Sequence, residues 1–260
     1  MITTVWNQLL VFPLTNSLIF LYQLFGNNLG WAIIALTIAI KIITLPLSIP
    51  SIQTAKKQRE LAPELSKIKE RYKNDKKKQM EAQATFLKEH CLNPSSGCLL
   101  QILTLVVIFA LYQVFMNVLN VNGHSTLNEI LYPFLQFKST SPLNVYFGYL
   151  NLIEPDPYFV LPILAGVFQF LLSKLMMPVV SKEERLARKT PEKSDDLMYN
   201  MQEQSLYLMP VMTVLIGWKL ASGLVLYWLL SSLLQLLQQL IADGHMLRWA
   251  RKVGKYAGKA

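Results

Sequence analysis

The sequence predicts an all-α polytopic membrane protein, with five transmembrane helices around a hydrophilic groove. Hydrophobic residues make up 52% of the 260 residues, and most of them lie in long uncharged runs. Short, charge-dense segments separate these runs, as expected for loops between membrane-spanning helices. Polar side chains inside the runs recur at helical spacing, which is what predicts the groove.

Five apolar runs are candidate membrane spans. We place transmembrane helices at residues 30–50, 97–117, 158–178, 205–218 and 220–241. The fourth has only 14 residues, and a helix that crosses the full bilayer needs roughly 20. We therefore expect either that this helix extends into the polar residues 202–204 or that the bilayer thins around it.

The basic residues predict the orientation of the chain. Of 25 Lys and Arg residues, 21 lie in three of the connecting segments, and the other connections carry only Lys138 and Lys219. The positive-inside rule then places the three basic segments in the cytoplasm, the N-terminus outside and the C-terminus inside. The connections become a cytoplasmic segment at 51–96, an external loop at 118–157, a cytoplasmic loop at 179–204 and a basic cytoplasmic tail at 242–260.

Residues 1–29 precede the first span and contain no Lys or Arg. They are apolar, but Gln8, Pro13, Asn16 and Gln23 interrupt the run. A sixth span is one interpretation. An external amphipathic helix that lies in the membrane interface fits these interruptions better.

Residues 51–96 are predicted to form a helical hairpin. Asn74 and Asp75 would make its turn, and residues 80–87 would form the returning arm. The alternative is a solvated loop with helical tendency. Apolar residues at helical spacing support the first arm, namely Leu61, Leu65, Ile68 and Tyr72.

The sequence predicts no metal site and no cofactor. Cys91 and Cys98 are the only cysteines, and neither a CxxC motif nor a histidine cluster accompanies them. A Walker motif for nucleotide binding is also absent. We expect both cysteines to be ordinary thiols.

Lys41 lies near the middle of the first predicted span. A Lys at the bilayer centre costs about 2.5–3.5 kcal/mol on insertion scales, so it should face protein or water. Thr37, Thr44 and Ser48 follow at spacings that place all four side chains on one helical face. This span therefore has one polar stripe among Ile, Leu and Ala residues.

Other spans carry polar side chains that are aligned in the same way. The candidate groove residues are the four stripe residues of the first span and a second set on the other spans. This second set is Gln101, Thr104, Gln169, Tyr227, Trp228, Ser231 and Gln235. Helices around a hydrated cavity need such residues. Hydrogen bonds between helices would also explain each Ser, Thr and Gln taken singly. No Asp or Glu lies inside any predicted span to pair with Lys41. For Lys41 the remaining alternative is therefore that its ammonium reaches the cytoplasmic interface.

The sequence resembles the YidC/Oxa/Alb family of membrane protein insertases over nearly its whole length. The order and spacing of the matching segments both fit the family. These segments are IKIITLPL at 40–47, LAPELSKIKERYKND at 61–75, NPSSGCLLQ at 93–101, FALYQV at 109–114, EPDPYFVLPILAG at 154–166 and GLVLYWLLSSLLQLLQQ at 223–239.

The resemblance implies a function as well as a fold. It implies a bacterial cytoplasmic-membrane protein with five core spans, a cytoplasmic hairpin, and a groove open to cytoplasm and lipid but closed outside. Its substrates would be nascent membrane proteins. The ribosome would bind the hairpin and the basic tail, membrane lipids would contact the spans, and joint action with the Sec translocon stays open.

Three features depart from the usual family pattern, and in the third the run Thr104-Leu105-Val106 replaces a Gln-x-Pro motif. Lys41 stands where most bacterial members have Arg, which keeps the charge but replaces a planar five-donor group with a compact ammonium. Leu100 and the run Thr104-Leu105-Val106 stand where relatives carry prolines. We expect a less polar groove wall and a straighter second span.

Three other functional classes are alternatives to an insertase. A secondary transporter with Lys41 at its substrate site is the main alternative, but the sequence has no inverted repeat and its charged hairpin has no role in transport. An intramembrane protease lacks its motifs, since there is no GxSxG, HExxH or intramembrane Asp pair. A purely structural scaffold would leave the polar stripes unexplained.

Overall fold

The structure is a computed structural model that describes residues 2–72, 75–90, 95–119, 124–137, 143–176 and 197–242. These residues are mostly helical. The elements are α1 (Ile2–Trp6), a π-helical turn (Asn7–Val11), α2 (Phe12–Leu24), α3 (Leu29–Glu60), α4 (Ala62–Arg71), α5 (Lys76–Glu89), α6 (Ser95–Leu119), α7 (His124–Ile130), β1 (Tyr146–Phe147), β2 (Leu150–Asn151), α8 (Val160–Met176), α9 (Leu197–Gly217) and α10 (Ser222–Ala242).

The apolar helices are consistent with an all-α membrane protein, which is the coarser part of the predicted fold class. Thr3–Leu24, Leu29–Thr54 and Ser222–Ile241 are long and apolar enough to cross a membrane. The shorter apolar helical stretches are Thr104–Val118, Val160–Leu175 and Leu206–Gly217. The N-terminal stretch therefore has the length and composition of a span, although its polar interruptions led us to expect an interfacial helix.

Two helices extend beyond the predicted spans. α3 continues ten residues past Pro50 and contains both Pro46 and Pro50. α9 begins at Leu197, so it includes the polar residues 202–204. Of the two explanations offered for the short fourth run, helix extension into the polar region is therefore the one observed.

The described residues divide into two compact units. The first comprises Met1–Thr44, Ile102–Gln169 and Pro210–Leu234. All members of the main hydrophobic cluster belong to this unit, including Leu18, Leu111 and Val225, each at most 1% exposed. Burial of such side chains is the main stabilising contribution to folding.

The predicted external loop is folded onto the first unit. It contains α7 and an antiparallel pair of two-residue strands, in which Tyr146 pairs with Asn151. Phe147 lies against the backbone of Gly30, so close that a Cβ atom there would overlap its ring. Gly30 is therefore required for this contact rather than for a turn.

Polar side chains of α2 bind the backbone of this folded loop. Asn16 donates from Nδ2 to the carbonyl oxygen of Ile130 (3.0 Å) and accepts from the backbone N–H of Tyr132 (2.7 Å). The backbone N–H of Asn144 donates to the hydroxyl of Tyr22 (2.8 Å). Asn16 was predicted as an interruption of an apolar run, and its contacts give that interruption a structural purpose.

A second set of hydrogen bonds fixes the loop to the starts of α8 and α10. The Ser222 hydroxyl lies 2.6 Å from the carbonyl oxygen of Asn151 and 2.7 Å from that of Glu154. Asp156 is 1% exposed, and its carboxylate accepts from the backbone N–H of Leu161 at 2.7 Å. The loop is thus bonded to α2 through residues 130–144 and to the start of α10 through Asn151 and Glu154.

The second unit comprises Leu45–Gln101, Phe170–Met209 and Gln235–Ala260. In it, α4 and α5 contact each other. Pro63 lies in the first turn of α4, where its missing N–H costs no helical hydrogen bond. Asp75 caps α5 by accepting the backbone N–H of Lys78 at 3.1 Å. The basic tail and Cys91 lie outside the described residues.

Candidate functional site

Helix α3 carries the predicted polar stripe on one face and apolar side chains on the others. Thr37 is buried, and Lys41 and Thr44 are half-buried. Ile42 and Ile43 on the same turns are 64% and 73% exposed. Polar groups turned toward protein and large apolar groups turned outward suit a helix with lipid on one side and a wetter environment on the other.

Lys41 is the only ionisable residue of α3 before Lys56. The two charges are separated by four turns of an otherwise uncharged helix. Any electrostatic attraction that α3 exerts within its apolar part therefore comes from one ammonium group. Half-burial leaves this group accessible, as an interaction with a passing ligand requires.

The threonine hydroxyls of the stripe donate to their own helix. Thr37 Oγ1 lies 2.7 Å from the carbonyl oxygen of Ile33, and Thr44 Oγ1 lies 2.8 Å from that of Ile40. Bonds of this kind satisfy a hydroxyl proton without a neighbouring helix. Thr37 is fully buried, whereas Thr44 is half-buried and therefore partly accessible.

Helices α8 and α10 meet through polar side chains. The Ser232 hydroxyl lies 3.3 Å from Oε1 of Gln169, and Ser232 is 4% exposed. A hydrogen bond between helices therefore explains Gln169 at least in part. Sequence reasoning missed Ser232 because it selected Ser231, the adjacent residue, from its spacing to Tyr227.

The predicted face of α10 is turned into the protein. Tyr227 and Ser231 are each 3% exposed, and a hydrogen bond joins their side chains. Trp228 is half-buried. Tyr227 and Ser231 are therefore less accessible than Lys41 and Thr44.

The remaining candidates are distributed over both units. Thr104, in the first unit, is half-buried; in the second unit, Ser48 is buried and Gln235 is half-buried. Gln101 belongs to α6, but its side chain lies outside the described part of the chain. The described residues contain no group of three or more His, Cys, Asp or Glu that could hold a metal ion.

Comparisons with known proteins match nearly the whole chain. The profile of the family described as "60Kd inner membrane protein" matches residues 20–248. A Fusobacterium nucleatum protein named membrane protein insertase YidC is 34% identical, over 82% of this chain and 85% of its own length. A Bacillus subtilis protein named membrane protein insertase MisCA is 29% identical over 98% and 85%, respectively. A longer YidC from Campylobacter jejuni is 30% identical over 92% of this chain and 38% of its own length.

Proposed function

The chain belongs to the 60Kd inner membrane protein family, the family of the YidC/Oxa insertases, and from this premise we propose that it is a membrane protein insertase. It would receive hydrophobic segments of nascent proteins from the cytoplasm and release them into the lipid bilayer. The relatives named above are all insertases, which favours this function over the transporter alternative. No covalent step is part of the proposal.

The observation that carries the mechanism is the two-sided character of α3. Its half-buried Lys41 would attract acidic groups in the polar flank of a client. Its exposed residues, such as Ile42 and Ile43, would contact lipid and the apolar part of the client. Transfer of that part into lipid supplies the driving force, at about 0.8 kcal/mol per buried methylene. The protein lowers the barrier only for the polar flank.

We propose a substrate groove built from the polar residues of several helices. Thr44 and the other partly exposed members would keep it hydrated, and Lys41 would supply its positive potential. Thr37, Tyr227 and Ser231 are almost fully buried, so in this proposal they would line the wall of the groove rather than its accessible surface. The remaining proposed members are Ser48, Gln101, Thr104, Gln169, Trp228 and Gln235.

The proposed topology has five spans, with the N-terminus outside and the C-terminus in the bacterial cytoplasm. Its support is the distribution of Lys and Arg, of which 21 lie in the three segments assigned to the cytoplasm. Residues 1–29 would lie at the external interface. The folded loop 118–157 would cover the external end, and its hydrogen bonds to α2 and α10 are consistent with a groove closed on that side.

The basic segments would recruit the partners. Segment 51–96, which contains α4 and α5, carries eleven Lys and Arg residues, and the tail 242–260 carries five. Both could bind ribosomal RNA through its phosphates, with a strength that falls as salt rises. Anionic lipids would compete for the same charges. Action beside the Sec translocon is compatible with this scheme and is not required by it.

Reconstitution tests the proposal directly. The purified protein in liposomes should promote insertion of a small single-span client above the rate in protein-free liposomes, measured by protection of the client from added protease. Uptake of labelled solutes should match that of empty liposomes. Solute uptake without client insertion would replace the insertase by the transporter. The matched control is a variant with residues 56–88 replaced by a Gly/Ser linker, which should remain embedded and insert less.

A further inference from the structure

An apolar hollow lies at the turn between α9 and α10, outside the proposed groove. It has a volume of about 590 Å³ and is partly open to its surroundings. Leu215, Ile216 and Leu220 supply its apolar lining, and Trp218 and Lys219 complete it. All five residues belong to the first unit.

The rim of the hollow combines the indole ring of Trp218 with the ammonium group of Lys219. Trp218 is 54% exposed, and its ring lies 4.8 Å from that of Phe159 at the start of α8. Lys219 is exposed, and among the described residues its ammonium makes no ion pair. Trp at a membrane–water interface and a Lys that reaches past an apolar surface are both typical of helix ends in membranes.

We propose that this hollow binds an anionic phospholipid of the outer leaflet, with its phosphate on Lys219 and part of an acyl chain against Leu215 and Ile216. The proposal rests on the proposed topology, which places the α9–α10 turn outside. It concerns a site separate from Lys41, so it can hold or fail independently of client insertion.

The chemistry of the lining favours a lipid over a protein helix. A single cation beside a wholly apolar surface complements one anionic head group joined to hydrocarbon. A protein segment would bring backbone or side-chain polar groups into the hollow, where Leu215, Ile216 and Leu220 offer no hydrogen-bonding partner. Lys219 is also one of only two basic residues in the external connections, so an anionic lipid on that side has few alternatives.

Native mass spectrometry of the full chain in neutral detergent tests the site. With phosphatidylglycerol and phosphatidylcholine supplied equally, we expect the unmodified protein to retain phosphatidylglycerol preferentially. Lys219→Gln should lower that preference about fivefold, the effect of one Lys at an anionic membrane surface. Lys219→Arg should keep it. Lys138→Gln removes the other basic residue of the external connections. It is the matched control, and no change in lipid preference is expected.

A second measurement identifies the occupant. A photo-crosslinking amino acid at position 216 in membranes should give a lipid adduct, and Ile216→Trp should lower retention of both lipids by filling the hollow. A protein adduct in place of lipid, or an unchanged preference in Lys219→Gln, would overturn the proposal. Equal thermal unfolding midpoints establish that the variants are folded. Client insertion is assayed in parallel, so a protein that binds lipid but inserts no client refutes the proposed function alone.

Discussion

Polar side chains serve different ends in two regions of the first unit. Around the folded external loop, Asn16 and Ser222 bond to backbone groups more than 60 residues away in the sequence. On α3, Thr37 and Thr44 bond to the carbonyl four residues earlier in their own helix. The first set joins separate segments, whereas these two hydroxyls bond within one helix. Similar residue types therefore build a long-range closure in one place and a polar stripe along one helix in the other.

The largest effect should follow from breaking the closure. Asn16→Leu leaves the carbonyl of Ile130 and the amide of Tyr132 without a partner, in a site where Asn16 is 2% exposed. Each orphaned buried group costs about 1–3 kcal/mol, so we expect a loss of about 2–4 kcal/mol in stability. Denaturant unfolding in detergent measures it. A loss below that of a surface substitution would show that these bonds do not hold the loop.

Reversing the charge of Lys41, on the polar stripe of α3, should affect activity rather than stability. Lys41→Glu should slow insertion of clients with acidic flanks by about tenfold, which corresponds to about 1.4 kcal/mol of lost attraction and added repulsion. Lys41→Ala should lie between this variant and the unmodified protein. Lys41→Arg should retain activity because the charge stays. The four proteins are compared at equal amounts in liposomes.

A client with a neutral flank is the matched control for this series. Its insertion should change little in any of the Lys41 variants. Equal activity of the Glu variant on acidic-flank clients would remove Lys41 from the mechanism. It would also favour the alternative in which the ammonium only reaches the cytoplasmic interface.

Removing a hydroxyl from the polar stripe of α3 should have a small effect on stability. In Thr37→Val the carbonyl of Ile33 keeps its helical N–H donor, so we expect a change below about 1 kcal/mol. The comparison with Asn16→Leu under identical conditions is the sharpest test of the contrast between the two regions. Similar losses for both variants would contradict it.

The smallest effect is expected at Asp75, whose side chain caps the start of α5. The Lys78 backbone N–H that donates to Asp75, with the charge of Lys78, lowers the pKa of this exposed carboxyl. Because the pKa is lowered on folding, the stabilisation is present above the unfolded value of about 3.9 and is lost as pH falls through the folded value. The amide signal of Lys78 in protein labelled with ¹⁵N-lysine should titrate below pH 3.9. A midpoint at or above it would contradict the cap, and Asp75→Asn should abolish the titration.

The sequence predicted the long helices and the membrane class because both depend on local pattern. Apolar runs identified α3 and α10, and helical spacing identified the polar stripe that contains Lys41. The folded external loop was missed, since its hydrogen bonds join residues such as Asn16 and Tyr132 that are 116 positions apart. Ser232 was missed because helical spacing from Tyr227 selected the adjacent Ser231, and spacing along one helix carries no information about a partner such as Gln169 on another. The family resemblance is confirmed by comparison, and the five-span layout stays a prediction.

The two prolines inside α3 have a mechanical consequence. Neither has an N–H, so the carbonyls of Ile42 and Pro46 cannot receive the hydrogen bond that the residue four positions later normally gives. A helix segment that lacks two hydrogen bonds one turn apart resists bending less than its neighbouring turns do. The first of these missing hydrogen bonds lies one residue after Lys41. We therefore expect α3 to flex most easily beside Lys41, the only charged residue in its apolar part. Clients of different widths would then be able to reach the same ammonium group.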